Sequence, residues 1–311
     1  MMKKSHYIRD VEENTNNNNQ GVLRSTWTSC HKTRRVTLIM RSAERVDRIF
    51  GTHWCRTEKL MNKVNATDLN MPVDAHLHPS VYEYNPPITN IGKYSMQLVA
   101  RALKNRAFNV SVIICSPTLR SVQTAAAIAK SFGARICIEP GLLEPMEWYR
   151  NAGAKELPDF VGGQLLDAYP VDKNYRPIFS CDEMSDAFPI KNQDQCIQRI
   201  SLVLRNICGT QRDHTALVVG HAITMDIASR IGQHGDQIDP QSLDECTSYE
   251  DPVYRCETNS QASKLELGVK YPPGAIMGLT RINDSPPYVL QTVNDLIPPL
   301  TSATYSNNIF Q

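Results

Sequence analysis

The sequence has no apolar segment long enough to cross a membrane and almost no net charge. Among its 311 residues, 33 basic side chains balance 32 acidic ones, which leaves a formal net charge of +1. A transmembrane helix needs about 20 predominantly apolar residues, and an excess of positive charge is typical of proteins that bind nucleic acid or anionic membranes. We therefore expect the partner to be neither a nucleic acid nor a membrane.

Cysteine pairs with metal or redox spacing are also missing, since the nine cysteines form no CxxC motif. Several lie in apolar segments such as SVIIC and RICIEP, which is typical of free thiols in a reducing compartment. The N-terminal lysines precede no apolar segment, so a secretory signal is not expected. We predict a cytoplasmic or nuclear protein. His76 and His78 are close in sequence, but no further ligand cluster accompanies them, and we expect no metal site.

Residues 1–33 contain an Asn-rich tract, NTNNNNQ, and are expected to form a disordered tail. Residues 34–305 are expected to form one domain, in which short apolar segments alternate with helical patterns. The apolar segments, which predict buried strands, are RRVTLIM (34–40), VSVIICS (110–116), RICIEP (135–140), TALVVG (215–220) and AIMGLTRI (275–282).

Helical patterns lie between these strands, at 92–106, 118–132 and 193–208. Strands that alternate with helices predict an α/β fold, here a three-layer α/β/α sandwich with a mainly parallel sheet. Two segments rich in Pro, Asn and Asp, at about 50–90 and 145–190, do not fit this pattern. We interpret them as insertions that cover the carboxyl edge of the sheet, where open α/β sheets bind ligands.

Candidate site residues follow the predicted strands directly. Arg41 and Arg45 follow the first strand, and Arg120 lies in the first turn of the helix after the second. Glu144 follows the third strand and His221 the fourth. Because the carboxyl ends of parallel strands meet at one edge of a sheet, we expect these side chains to converge. A planar guanidinium suits a phosphoryl group, so the pattern predicts a phosphate-binding pocket.

Several longer motifs occur in a characteristic order over roughly residues 34–301: ERVDRIFG, DLNMP, CSPTLRSVQTA, EPGLLE, VDKNYRP, VVGHA and IPPLT. In these motifs the chain resembles the histidine phosphatase superfamily, which has the phosphoglycerate mutase-like fold. More narrowly, it resembles the branch of the TULA/Sts phosphatase domains and ecdysteroid-phosphate phosphatase, because ERVD, LNMP and YRP distinguish that branch from the glycolytic mutases.

The resemblance implies a role for each candidate residue. In active members, the side chains matched by Arg41, Arg120 and His221 hold phosphate oxygens, and Arg45 matches a further pocket arginine. Glu144 falls where the family places the acid that protonates the leaving oxygen. The family needs no metal, and we expect no cofactor here.

Ser42 departs from the family at the position of the nucleophile. Active members have Arg-His-Gly-Glu-Arg where this chain has RSAER (41–45), so that Ser42 replaces histidine and Ala43 replaces glycine. An imidazole is partly neutral and nucleophilic at physiological pH, whereas a serine hydroxyl needs an adjacent base or a metal. Loss of a nucleophile commonly costs on the order of 10⁶ in rate. A glycine at this position would let the backbone approach the phosphate closely or adopt an unusual dihedral angle. The methyl group of Ala43 narrows that space.

Three hypotheses follow. The first is a catalytically inactive or strongly impaired phosphatase-like protein that binds a phosphorylated small molecule or phosphoprotein, as a homodimer or as a heterodimer with an active relative. The alternative is a low-activity phosphomonoesterase of the TULA/Sts type, acting on protein phosphotyrosine or a small molecule, in which His221 or a water attacks phosphorus. The third is an interaction surface that binds no anion. The retained arginines argue against it, because buried unpaired cations are costly.

Overall fold

The computed structural model describes residues 36–51, 54, 68–72, 82, 84–160, 166–189, 193–210, 215–234, 268, 271–283 and 289–293. The predicted tail at 1–33, the two histidines His76 and His78, and most of the predicted insertion at 50–90 lie outside these ranges. Within them, no helix is long and apolar enough to span a bilayer.

The described residues form one six-stranded sheet with the order β3-β2-β4-β1-β5-β6. The strands are β1 (Val36–Arg41), β2 (Val110–Cys115), β3 (Arg135–Ile138), β4 (Thr215–Gly220), β5 (Ile276–Arg281) and β6 (Leu290–Val293). The first four run parallel to one another, whereas β5 is antiparallel to β1, and β6 to β5. The predicted α/β fold with a mainly parallel sheet is confirmed. The sequence analysis missed β6, a four-residue strand at the sheet edge.

The helices are α1 (Val46–Phe50), α2 (Asn90–Asn105), α3 (Leu119–Phe132), α4 (Met146–Asn151), α5 (Cys181–Ala187), α6 (Gln193–Thr210) and α7 (Ala222–His234). The long helices pack on both faces of the sheet, because successive side chains of a strand point to opposite sides. On β4, Ala216 and Val218 join a core with α6 and α7, while Leu217 and Val219 join a second core with α2 and α3. The central strand β1 is buried along its whole length, as expected for a strand covered on both faces.

Three of the strand ends lead directly into helices. The chain passes from β1 into α1 through residues 42–45, from β2 into α3 through 116–118, and from β4 into α7 through His221 alone. After β3, a 3₁₀ turn at Pro140–Leu142 leads to α4. The described part of the predicted insertion at 145–190 includes α4 and α5, which pack in a small core around Leu143. These connections all lie at the carboxyl edge of the parallel strands.

Candidate functional site

The backbone joins three of these strand ends side by side. Ser42 follows β1, Ser116 follows β2 and His221 follows β4, which lies between them in the sheet. The amide of Ser42 donates to the carbonyl of Gly220 at 2.9 Å, and the amide of Ser116 donates to the carbonyl of Val219 at 3.0 Å. The sheet register therefore places Ser42 and His221 at neighbouring strand ends.

Arg120, Glu144 and His221 form one buried cluster. Arg120 Nη2 donates to Glu144 Oε2 at 2.6 Å and lies 3.3 Å from His221 Nδ1. The other carboxylate oxygen, Oε1, lies 3.2 Å from the same ring nitrogen. Tyr149 donates its hydroxyl to Glu144 Oε2 at 2.8 Å, and Ser116 Oγ lies 2.9 Å from His221 Nε2. Every polar group of the cluster thus has a partner, and both ring nitrogens of His221 are occupied.

Ser116 and Tyr149 are members of this cluster that were not predicted from the sequence. Ser116 directly follows a strand, the same signal that identified Arg41 and His221, and could have been found by applying that rule to small hydroxyl residues. Tyr149 lies in α4, in a segment that the sequence marked only as an insertion. Its contact with Glu144 depends on tertiary packing.

The protonation states follow from burial and from the neighbouring charges. Burial alone would raise the pKa of the Glu144 carboxyl, but the Arg120 guanidinium beside it holds that pKa well below its usual range. Burial lowers the pKa of His221, and the charge of Arg120 acts in the same direction against the opposing effect of Glu144. At neutral pH the cluster therefore contains an ionised carboxylate and a neutral imidazole. An ionised Glu144 cannot donate a proton until its pairing with Arg120 changes.

Arg45 lies within electrostatic range of this cluster but has its own carboxylate. Its Nε donates to Asp47 Oδ1 at 2.9 Å, and its Nη2 lies 2.5 Å from Asp47 Oδ2, which is a bidentate ion pair. The charge of Arg45 contributes to the lowered pKa values of both Glu144 and His221. Asp47 belongs to the ERVD motif, but the sequence analysis assigned it no role.

Arg41 differs most from its predicted role of holding phosphate oxygens. It is the last residue of β1, and its Nη1 donates to the carbonyl of Gly268 at 3.0 Å and also to the carbonyl of Tyr271. These two residues precede β5, so in this arrangement Arg41 holds the entry to that strand. A role in phosphate binding requires the guanidinium to share or leave these carbonyls.

The site arginines have internal partners, contrary to the expectation from sequence. Arg120 has Glu144, Arg45 has Asp47, and Arg41 has backbone carbonyls. These contacts satisfy the cations without a bound anion, so the arginines alone do not argue against an interaction surface.

The backbone at Ala43 does not adopt the unusual dihedral angle that the sequence suggested. Its amide donates to Thr124 Oγ1 at 2.9 Å, and Thr124 Oγ1 donates in turn to the carbonyl of Arg120 at 2.7 Å. Among the non-glycine residues that the structure describes, only Ala107 has a positive φ, of 60°. Ala43 therefore does not occupy a position that requires the left-handed backbone conformation. The effect that remains is steric, because its methyl group occupies space that a glycine would leave open.

The predicted site residues are all buried, with exposed fractions between 2% and 6% for Arg41, Ser42, Arg45, Arg120, Glu144 and His221. In the described ranges, no group of three or more His, Cys, Asp or Glu side chains is placed to hold a metal ion. The arrangement is a closed polar cluster with two anionic side chains already paired to its arginines. An anion that bound to Arg120 or Arg45 would have to replace or share the carboxylate that each guanidinium contacts here.

Known proteins match this chain in sequence and in fold. The model of the histidine phosphatase superfamily (branch 1) matches residues 81–249. The chain is 31% identical over 218 residues to the ecdysteroid-phosphate phosphatase of Drosophila melanogaster, covering 64% of this chain and 27% of that protein. It is 29% identical over 258 residues to human ubiquitin-associated and SH3 domain-containing protein A, covering 75% of this chain and 37% of that protein. The chain thus spans well under half the length of either relative.

A solved structure agrees with the architecture described above. The crystal structure of ecdysone phosphate phosphatase from Bombyx mori, in complex with tungstate, superposes with a TM-score of 0.59 at 22% identity. The match covers 86% of this chain and 94% of that one. At this level of identity the likeness concerns the fold, and it confirms the predicted phosphoglycerate mutase-like fold.

Proposed function

Because this chain belongs to the histidine phosphatase superfamily, we propose that it is a catalytically inactive or strongly impaired member that binds a phosphorylated ligand or partner. The proposal depends on Ser42. By the resemblance of RSAER (41–45) to the family's motif, Ser42 stands where active members have the histidine that attacks phosphorus.

The surroundings of Ser42 support the loss of turnover. A serine hydroxyl becomes an effective nucleophile when a base lies within hydrogen-bonding distance. The neighbouring strand end carries His221, whose Nε2 contacts Ser116 and whose Nδ1 lies between Glu144 and Arg120. In this arrangement His221 is committed to other groups and does not activate Ser42. A phosphoserine ester, if formed, would also hydrolyse far more slowly than the nitrogen–phosphorus bond of phosphohistidine.

The cluster around Arg120 supports the retained binding of an anion. A phosphoryl group has the charge and the acceptor oxygens to replace the Glu144 carboxylate on the Arg120 guanidinium. A neutral His221 then offers one N–H as a donor without adding a cation that needs a partner of its own. Arg45 adds positive charge at longer range, as its effect on both pKa values indicates.

The class of ligand and partner is also part of the proposal. The relatives named ecdysteroid-phosphate phosphatase support a phosphorylated small molecule, and a phosphoprotein is the other candidate. We further propose that the chain forms a homodimer, or a heterodimer with an active relative. A cytoplasmic or nuclear location is supported by the free thiols, four of them buried: Cys115, Cys137, Cys196 and Cys208.

A low-activity phosphomonoesterase is the second candidate, and the state of His221 favours it. Burial holds the imidazole neutral at physiological pH, and a neutral imidazole can attack phosphorus or activate a water. This route requires His221 to leave Ser116 or Glu144 during the reaction.

Two assays on the purified chain decide between these functions. Hydrolysis of a generic aryl phosphate should stay near background, while phosphate, vanadate or tungstate should raise the melting temperature. A robust turnover number that Arg41→Ala abolishes would overturn the inactive assignment in favour of the phosphomonoesterase. Absence of both turnover and thermal shift would favour a surface that binds no anion.

A further inference from the structure

A buried arginine outside the cluster of Arg120, Glu144 and His221 donates hydrogen bonds to the backbone that leads to Glu144. Arg199, on α6, is 8% exposed. Its Nη1 donates to the carbonyls of Pro140 and Gly141 at 3.3 and 3.1 Å. Its Nη2 donates to the carbonyls of Leu143 and Glu144 at 2.9 and 3.4 Å. All four acceptors belong to the segment that ends at Glu144.

A buried carboxylate holds the start of the same segment. Glu139 is fully buried, and its Oε1 accepts from the amides of Gly141 and Phe179 at 3.0 and 3.1 Å. Its Oε2 accepts from the amide of Ile178 at 2.7 Å and from the hydroxyl of Tyr175 at 2.9 Å. Glu139 therefore ties the 3₁₀ turn to the segment before α5.

These two side chains form a clamp, in which Arg199 donates to four carbonyls of residues 140–144 and Glu139 ties Gly141 to residues 175–179. The carboxylate accepts from N–H groups and the guanidinium donates to C=O groups, so the clamp uses both polarities of the peptide backbone. Two opposite buried charges that pair with each other are often replaceable by apolar side chains without loss of stability. Arg199 and Glu139 instead pair mostly with backbone groups, and those of Arg199 all lie in the segment that ends at Glu144. Such an arrangement fixes the position of that segment.

We infer that Arg199 and Glu139 are positioning residues that hold Glu144 against Arg120, and so set how strongly Glu144 competes with an incoming anion. The inference deepens the proposed function, and the part of it that concerns anion binding rests on that function. If the clamp is loosened, Glu144 moves away from Arg120 and the guanidinium becomes easier for an anion to occupy.

The competition gives a signature in the pH dependence of anion binding. An anion placed beside the Glu144 carboxylate and the neutral His221 imidazole favours protonation of both groups, so binding should take up protons and weaken as pH rises. One coupled proton changes Kd by up to about tenfold per pH unit. The groups that act on this carboxylate are Arg120 from α3, His221 before α7, Arg45 before α1, Tyr149 from α4 and Cys196 from α6.

The test measures sulfate binding by calorimetry between about pH 5 and 8, because sulfate is a tetrahedral dianion that does not titrate in this range. The variant is Arg199→Met, and the matched control is Arg205→Met, which removes a half-buried guanidinium from the same helix. In Arg199→Met, sulfate should bind more tightly than in wild type at neutral pH, and the pH slope of Kd should be less than half the wild-type slope. Arg199→Lys should restore part of both effects, and the control should leave them unchanged.

A purely structural role for Arg199 gives a different result. It lowers the melting temperature but leaves the sulfate affinity and its pH slope at wild-type values, and that outcome overturns the inference. If Arg199→Met does not fold, Arg199→Lys and Glu139→Gln provide the same comparison. If wild type binds no sulfate, the proposed function fails. The titration of the Glu144 carboxyl carbon, followed by NMR in wild type and variants, then decides the inference alone, since an unchanged titration contradicts it.

Discussion

The site has two halves that differ in how tightly their side chains depend on one another. The nucleophile half is the segment 41–45, which includes Ser42. The anion half consists of Ser116, Arg120, Glu144 and His221. In the anion half each side chain contacts another. Arg120 and His221 both lie against the Glu144 carboxylate, and Ser116 contacts His221.

If the chain is the inactive, anion-binding member proposed above, this difference explains how a binding site can persist after the catalytic step is lost. Removal of one partner from a buried ion pair leaves an uncompensated charge and costs about 3–5 kcal/mol. Substitutions in the anion half would therefore destabilise the fold, whether or not a ligand binds. The nucleophile position has no such constraint, since a small neutral side chain such as that of Ser42 leaves no buried charge unpaired.

The largest effect is expected from repair of the nucleophile half. The double change Ser42→His with Ala43→Gly restores the imidazole and the space beside it, and should recover part of the roughly 10⁶-fold rate that a missing nucleophile costs. Hydrolysis of an aryl phosphate is the measurement, and Ala43→Gly alone, which should stay at background, is the control. No gain in the double variant would show that the loss extends beyond these two positions, into the anion half.

Removal of the central cation should abolish anion binding. An anion that binds only the folded state stabilises it by about 2.7 kcal/mol at a hundredfold excess over Kd, a visible shift in melting temperature. Arg120→Ala should erase this shift for tungstate, and should also destabilise the ligand-free protein because Glu144 loses its partner. Arg101→Ala, which changes an exposed arginine of α2, is the control. A retained tungstate shift in Arg120→Ala would place the anion site elsewhere.

The anion half should also make the protein sensitive to acid. The folded-state pKa values of His221 and Glu144 are lowered from 6.5 and 4.5, so the unfolded chain binds more protons below each of these values. Stability is therefore fully present above about pH 6.5 and falls with pH, first through His221 and then through Glu144, at up to about 1.4 kcal/mol per pH unit for each group. Urea unfolding of wild type and Glu144→Gln should show a shallower acid decline in the variant, below about pH 4.5. Parallel curves would mean that Glu144 is not held ionised in the folded state.

The smallest effect is expected from the hydroxyl of Tyr149. Its hydrogen bond to the Glu144 carboxylate has a charged acceptor, and such bonds contribute about 1.5–3 kcal/mol. Tyr149→Phe should lower the free energy of unfolding by an amount near the lower end of this range, because Arg120 still pairs with the carboxylate. Tyr94→Phe, at an exposed position, should be neutral. A loss equal to that of Arg120→Ala would mean that Tyr149 rather than Arg120 holds Glu144 in place.

Much of the fold could be predicted because its signals are local. The five predicted strands all occur in the sheet, and their apolar character follows from burial on both faces. The edge strand β6 gave no comparable signal, since only one of its four residues, Leu290, is buried. The antiparallel direction of β5 was also missed, because apolar patterning reports burial and not direction.

The sequence by itself determined which residues meet at the carboxyl edge. Parallel strands bring their ends together whatever the side chains do there, so strand ends at Arg41, Arg120, Glu144 and His221 could be placed in one region from spacing alone. The serine at position 42 can also be read from the sequence, and the hypothesis that it replaces a nucleophilic histidine depends on the resemblance of RSAER (41–45) to the family's motif.

Only the tertiary structure decided which of these groups touch. Arg120 reaches Glu144 across 24 residues and His221 across 101, and Arg41 turns to a carbonyl 227 residues away. Spacing along the chain says nothing about which of several carboxylates or carbonyls a guanidinium contacts, because long side chains choose among partners by distance and burial. For the same reason, the hydrogen bonds from Arg199 to the backbone of residues 140–144 could not be predicted, although the helix that carries Arg199 was predicted from the sequence.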